Sequence, residues 1–165
     1  MTAFSATASG KIILFGEHSV VYGQPAIAVP VDIVQARAVV VAAPRSPTGA
    51  VHLIAADIGL DALLADLPAD HPLALAITLT SLQLNIPRLP AMEIRITSTI
   101  PVAAGFGSSA ATSIALIRAL AAFAGQRLSH AVVSDLAYQV ERRHHGNPSG
   151  IDNTVITYGQ PVYFV

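Results

Sequence analysis

The order of strand and helix patterns along the chain constrains its fold more than any other sequence feature. Val/Ile-rich or alternating segments dominate the chain up to Thr99, and helical patterns dominate the remainder. Strands and helices do not alternate regularly, so a doubly wound parallel sheet is excluded. The sequence therefore predicts a fold of the α+β class.

The predicted strands are rich in β-branched residues, and the predicted helices begin at Ser or Pro and end near Gly or Pro. Residues 26–43 read either as one long strand or as a pair of strands, and residues 60–68 are ambiguous. Strands are predicted over 4–15, 26–43, 51–55, 92–99 and 162–165, with a turn at 44–49. Helices are predicted over 72–85, 108–124, 129–145 and 149–157, with Ser129 as an N-cap.

Composition narrows the possible function classes. Of the 165 residues 53% are apolar and only 12% are charged, which argues against disorder. The net charge of −1 provides no electrostatic footprint for nucleic acid or an anionic membrane, and the absence of cysteine excludes thiolate chemistry. Pro, Gly and hydroxyl residues interrupt the uncharged runs, and no signal-peptide pattern opens the chain. We expect a cytoplasmic protein with neither nucleic-acid nor membrane partners.

The first candidate functional residue is Lys11, the only lysine of the chain. It stands at the head of an apolar strand, six residues before Glu17 and His18. An ammonium is a compact point charge that arginine cannot replace, which favours a functional role. A lysine at a strand end that extends its charge into solvent is an equally good interpretation.

The second candidate is the glycine-rich segment 101–112, which leads into a helix. Glycines allow close backbone approach and a helix N-terminus offers unpaired N–H groups, so together they can cradle phosphate. Ser108 and Ser109 can either cap that helix or lend a hydroxyl to a phosphate-bound Mg²⁺. The P-loop motif is absent, and the dinucleotide pattern lacks its βαβ context. A serine-capped glycine turn without function is the alternative.

The third candidate is the segment 141–153, where Glu141 falls in the last turns of a helix and Asp152 follows a Pro-Ser-Gly turn. An acid near a helix C-terminus is disfavoured unless a cation compensates. His144 and His145 point in different directions on a helix, so they do not predict a metal site. One lysine, an anion cradle, an acid near a hydroxyl and an aspartate in a turn are the parts of a phosphoryl-transfer site.

Three segments carry a resemblance to a known family: GKIILFGEHSVVYGQPAIAVPV, PVAAGFGSSAATS and HHGNPSGIDNTVITYGQPVYF. They resemble, in order, the signatures of the mevalonate kinases, members of the superfamily of galactose, homoserine, mevalonate and phosphomevalonate (GHMP) kinases. Phe106 stands where the family more often has leucine. The resemblance implies the N-terminal lobe of the GHMP kinase fold (ribosomal protein S5 domain 2-like), a mixed, mainly antiparallel sheet with helices packed on one face.

The resemblance also implies roles for individual residues. Asp152 would accept the proton of the primary hydroxyl of mevalonate, and Lys11 would stabilise the developing charge. Ser109 and Glu141 would hold Mg²⁺. The substrate pocket would be lined by Glu17, His18 and Tyr158. ATP phosphates would be held by Pro101, Ala104, Gly105, Phe106, Gly107, Ser108, Ser109 and Ala110.

The length of the chain is a departure from the family, whose members are about twice as long. Residues 1–165 are therefore expected to form an N-terminal ATP-binding domain without the C-terminal domain, with little kinase activity alone. Apolar surface meant for a second lobe is expected to remain exposed or to be hidden in a homodimer. The alternatives are a sibling GHMP kinase, although Ser19 after Glu-His disfavours galactokinase, and a non-catalytic nucleotide-binding lobe.

Overall fold

The computed structural model describes residues 2–17 and 20–165, and in these it contains one six-stranded sheet and four α-helices. The strands are β1 (Ala3–Phe15), β2 (Ala26–Ala42), β3 (Val51–Ala55), β4 (Leu60–Leu63), β5 (Met92–Ser98) and β6 (Val162–Phe164). The helices are α1 (Pro72–Gln83), α2 (Ser108–Phe123), α3 (His130–His145) and α4 (Ile151–Tyr158).

The sheet is mixed and mainly antiparallel, as predicted. Its order is β1-β2-β5-β3-β4, with β6 added against the first residues of β2. Only β3 and β5 run parallel among the described pairs. The helix that follows the glycine-rich segment leads into another helix, which rules out the dinucleotide-binding βαβ unit.

Strand β2 resolves the ambiguity of residues 26–43, because it is one continuous strand with two sets of partners. Its second half pairs with β5, and its first three residues pair with β6. Its pairing with β1 shifts register between Ser9 and Gly10, where the partner residue changes from Gln35 to Val31. Such irregularities bend a strand and re-aim its side chains, and this one lies directly before Lys11.

Helix α2 forms the centre of the hydrophobic core. Ten of its sixteen residues are buried, and it contacts β1 and β2 of the sheet as well as α1, α3 and α4. The opposite sheet face is polar and exposed, with Thr7, Arg37 and Thr97 side by side on neighbouring strands. A helix surrounded by protein needs apolar residues all round, and Arg118 is the one charged residue of α2.

The capping and turn residues of the sequence predicted most boundaries of the helices and strands to within two residues of the observed ones. Ser129 caps α3, its hydroxyl accepting a hydrogen bond from the Val132 amide at 3.3 Å. The ambiguous residues 60–68 form β4 followed by a single 3₁₀ turn, Leu64–Asp66. In the described part of the chain, none of the helices has the length and apolar character needed to cross a membrane.

Candidate functional site

Four helix ends meet around a cavity of about 680 Å³. The N-termini of α1, α2 and α4 face it together with the C-terminal turn of α3. Helix N-termini carry partial positive charge and unpaired N–H groups, so their convergence favours an anion. The lining includes Ile58, His71, Pro72, Leu73, Pro101, Val102, Ala103, Ala104, Gly105, Phe106, Gly107, Ser108, Ser109, Ala110, Thr112, Glu141, His144 and Asp152.

The glycine-rich segment forms one wall of this cavity as a tight loop held against β1. The Lys11 amide donates a hydrogen bond to the Phe106 carbonyl at 3.0 Å. Gly107 has a φ of +70°, and a Cβ there would lie 2.9 Å from Ile156 Cδ1 and 3.0 Å from Lys11 Cγ. A side chain at Gly107 would therefore displace Lys11, which makes this glycine a close-approach residue.

Residue Gly107, not a serine, is the N-cap of α2. Among the described residues, no side chain accepts a hydrogen bond from the first turn of α2, so the interpretation of Ser108 or Ser109 as a cap is wrong. The first N–H groups of a helix have no intrahelical acceptor. Without a side-chain cap, these N–H groups remain available to a ligand in the cavity.

Ser109 instead pairs with the acid of α3. Its hydroxyl donates to Glu141 Oε1 at 2.6 Å, and Glu141 is 7% exposed. Carboxylate and hydroxyl oxygens are the hard ligands that Mg²⁺ prefers, so this donor pair fits the ion. No cluster of three or more His, Cys, Asp or Glu suited to a metal occurs within residues 2–17 and 20–165.

The Lys11 ammonium and the Asp152 carboxylate form an ion pair of 2.9 Å beside the loop. The lysine side chain is 6% exposed and the aspartate side chain 32%. Lys11 is thus buried, and its interpretation as a solvent-extended strand-end lysine is wrong. The partly exposed carboxylate lines the cavity, and the buried ammonium holds one of its oxygens in a fixed position, an arrangement suited to a proton acceptor.

Helix α4, which carries Asp152, is attached to α3 by a buried amide that the sequence analysis did not single out. Asn153 Nδ2 donates to the Ser134 carbonyl at 3.2 Å and to Ser134 Oγ at 2.8 Å. Both residues are largely buried. The only sequence signal for this contact was the polar residue directly after Asp152.

His71 is a cavity residue that sequence reasoning missed. Its Nδ1 accepts a hydrogen bond from the Leu73 amide at 3.3 Å and so caps α1. Burial lowers the pKa of His71 below its usual value, and His144 lowers it further, while Asp70 opposes both. Its position before Pro72, a residue common in first helical turns, could have identified the cap.

The three expected substrate residues have different placements. Glu17 lies beside the loop, with Oε1 4.0 Å from the position of a Cβ on Gly105. Tyr158 lies at the far end of α4 from Asp152, where its ring packs edge-on against His130 at 5.4 Å, outside the cavity. His18 lies outside the described residues.

Comparison with known proteins identifies the family to which this sequence and this fold are similar. Residues 72–160 match the GHMP kinases N terminal domain family. The mevalonate kinases of Thermococcus onnurineus and Thermococcus sibiricus are 37% and 36% identical over 93% and 96% of this chain. The crystal structure of the Methanococcus jannaschii mevalonate kinase superposes with a TM-score of 0.88 at 28% identity, covering 99% of this chain and 53% of that one.

The chain spans about half the length of the curated relatives it matches, 49% of the first and 50% of the second. The family match includes the glycine-rich loop from Gly105, the Ser109–Glu141 pair and Asp152. The sheet and the four helices superpose on that crystal structure over 99% of this chain. By sequence and by structure, the chain therefore belongs to the GHMP kinase family, as an N-terminal domain.

Proposed function

We propose that this chain is the ATP-binding half of a mevalonate kinase, which transfers the γ-phosphoryl group of ATP to the primary hydroxyl of mevalonate and gives 5-phosphomevalonate. One observation carries the proposal: the Lys11–Asp152 ion pair of 2.9 Å lies directly against the glycine-rich loop. A proton acceptor next to an anion cradle is what phosphoryl transfer to an alcohol requires. The similarity to mevalonate kinases supports mevalonate as the acceptor.

The loop and the start of α2 would hold the nucleotide phosphates. Backbone N–H groups from Gly105 to Ala110 and the converging helix N-termini supply the positive charge, since the described lining contains no Lys or Arg. Ser109 and Glu141 would hold Mg²⁺. Such an ion, when bound, neutralises charge that develops on the phosphate oxygens.

Asp152 would accept the proton of the acceptor hydroxyl. A carboxylate is a weak base for an alcohol, but the loose transition state of phosphoryl transfer needs that proton removed only late. Lys11 keeps the carboxylate oriented and would stabilise the oxygen that loses the proton. Glu17 and His18 would contact mevalonate, and the placement of Tyr158 away from the cavity gives it no part in this proposal.

We further propose that the 165-residue chain alone has little kinase activity, since its relatives are about twice as long. An exposed apolar row on the sheet supports this proposal, because it is suited to contact with a further segment or subunit. In this row Phe15, Ile27 and Tyr163 lie directly opposite one another on adjoining strands. Their exposed fractions are 70%, 38% and 69%. Exposed apolar patches of this kind are typical of surfaces that another segment or subunit covers.

Two measurements test the proposal. Isothermal titration calorimetry of the chain with Mg·ATP tests the nucleotide site, and absence of binding would overturn it. A coupled ADP assay of the chain fused to the second half of the T. onnurineus enzyme tests the reaction. We expect turnover with mevalonate that is lost in Asp152→Ala, and none with galactose, homoserine or phosphomevalonate. Turnover with one of these alone would assign the chain to a sibling kinase.

A further inference from the structure

Arg118 is a partly buried cation in the middle of α2, outside the cavity. Its Nη2 donates to the Thr157 carbonyl at the end of α4, at 2.7 Å, and its Nη1 donates to the Thr7 carbonyl of β1 at 3.4 Å. No carboxylate lies within ion-pair distance of it among the residues described. Burial lowers the pKa of Arg118, although an arginine stays protonated at neutral pH.

Arg118 connects α2, α4 and β1, and each of these elements carries one group of the candidate site. Helix α2 begins with the phosphate cradle about 15 Å away, since ten residues separate Ser108 from Arg118. Asp152 precedes Thr157 by five residues, about 7.5 Å of helix. Lys11 follows Thr7 by four residues, about 13 Å of strand. One guanidinium therefore bonds the cradle helix to both elements that carry the ion pair.

Helix α4 depends on such contacts because it is short. Eight residues do not form a stable helix alone, so tertiary contacts must set its position. Its N-terminal end is held by the Asn153 amide on α3, and its last carbonyls lie at the negative end of the helix dipole. Arg118 is the charged donor at that second end, and a planar fork with several donors can reach two carbonyls at once.

We propose that Arg118 is a positioning residue that holds α4 and β1 on α2, so that the Lys11–Asp152 ion pair stays in register with the phosphate cradle. Without the guanidinium, α4 would be fixed only at its N-terminal end and by its apolar face. The Lys11–Asp152 pair would then open more often. The inference rests on the proposed function, because it assigns Arg118 a role in the same reaction.

The test uses the fact that Lys11 is the only lysine of the chain. Its acetylation by an amine-specific reagent under native conditions, followed by mass spectrometry of the Lys11 peptide, reports how often the buried pair opens. We expect Arg118→Met to raise the acetylation rate about tenfold, the change expected for losing a hydrogen bond from a charged group. Arg118→Lys can reach only one carbonyl and should raise the rate about threefold.

Two controls separate positioning from general stability. Thr157→Val alters the residue that Arg118 contacts but keeps its carbonyl, and the Thr157 hydroxyl has no partner among the described residues. Leu53→Ala weakens the core of β3, away from α4. Thr157→Val should leave the Lys11 rate unchanged, and Leu53→Ala should raise it less than Arg118→Met does at an equal loss of unfolding free energy.

An unchanged Lys11 rate in Arg118→Met would overturn the proposal, as would an equal rise in Leu53→Ala at matched stability. If Arg118→Met does not fold, the Arg118→Lys variant is used for the test. A Lys11 acetylation rate in Arg118→Lys equal to that of the wild-type chain refutes the positioning role. The measurement needs neither nucleotide nor mevalonate. Failure of the proposed function would appear instead as absence of Mg·ATP binding by a chain whose Lys11 is protected.

Discussion

The two ends of α2 use the same residue in the same backbone conformation for different purposes. Gly107 before the helix and Gly125 after it both have a φ of +70°. In the part of the chain that the structure describes, no neighbouring atom lies within 4 Å of a Cβ built on Gly125, whereas a Cβ on Gly107 would collide with Ile156 and Lys11. Gly125 only ends the helix, whereas Gly107 also leaves the space that the Lys11 side chain occupies.

The ion pairs of the chain show the same contrast between the site and the surface. Lys11–Asp152 joins an almost buried ammonium to a partly exposed carboxylate, while Arg95 and Glu93 pair at 2.6 Å with side chains 64% and 31% exposed. Exposed pairs contribute little because water and salt screen them, and breaking a buried pair leaves an uncompensated charge. The contact distance alone therefore does not show how much each ion pair contributes to the stability of the fold.

Breaking the buried pair should have the largest effect. Asp152→Ala leaves the Lys11 ammonium buried without its partner, so we expect it to lower the unfolding free energy by about 3 kcal/mol. Adding Lys11→Met should recover most of that loss, because no buried charge then remains. Urea denaturation of both variants measures this, with Glu93→Ala as the surface control at about 0.5 kcal/mol or less. Equal losses in Asp152→Ala and Glu93→Ala would contradict the contrast.

Substituting the two glycines compares the ends of α2 directly. Gly125→Ala should cost about 1 kcal/mol, because a Cβ disfavours the left-handed conformation. Gly107→Ala should cost about 2 kcal/mol or more, since it also collides with Lys11 and Ile156. Only Gly107→Ala should weaken Mg·ATP binding in calorimetry. A similar loss of affinity in both variants would refute the distinction.

The Ser109–Glu141 pair predicts a metal-specific effect. Glu141→Gln keeps the size of the side chain and its acceptor for the Ser109 hydroxyl but removes the charge. We expect the affinity for Mg·ATP to fall about tenfold while the affinity for metal-free ATP stays unchanged. Titrations with and without Mg²⁺ distinguish these two affinities, and Asp135→Asn on the exposed side of α3 is the control, because it removes the same charge outside the cavity. Equal losses with and without Mg²⁺ would exclude Glu141 as a ligand.

The smallest effect should come from the titration of His71. Its folded-state pKa is lowered, mainly by burial, so the unfolded chain binds more protons as the pH falls below about 6.5. Stability contributed by neutral His71 is therefore present above that pH and is lost below it. His71→Asn keeps an acceptor for the Leu73 amide without this titration. It should flatten the decline of unfolding free energy between about pH 7 and 5, and an unchanged slope would contradict the prediction.

Local patterns predicted most elements because their signals lie within a few residues. Ser129 as a cap, the turn at 44–49 and the start of α2 at Ser108 are such cases, and all are confirmed. The serine-cap interpretation of the glycine-rich loop was wrong, because Ser109 is drawn to Glu141, 32 residues away. Asn153 and Arg118 were missed because their partners belong to other elements. His71 was missed although its partner, the Leu73 amide, lies only two residues away.

The sequence by itself determined the fold class, the glycine-rich loop that leads into a helix, and a single lysine on the first strand. These follow from local periodicity and from the scarcity of charged residues, which leaves few candidates for each role. Only the tertiary structure decided that Lys11 is buried against Asp152 and that Arg118 connects β1, α2 and α4. Burial and pairing depend on contacts between distant residues, and the register of the sheet and the packing of α2 set those contacts.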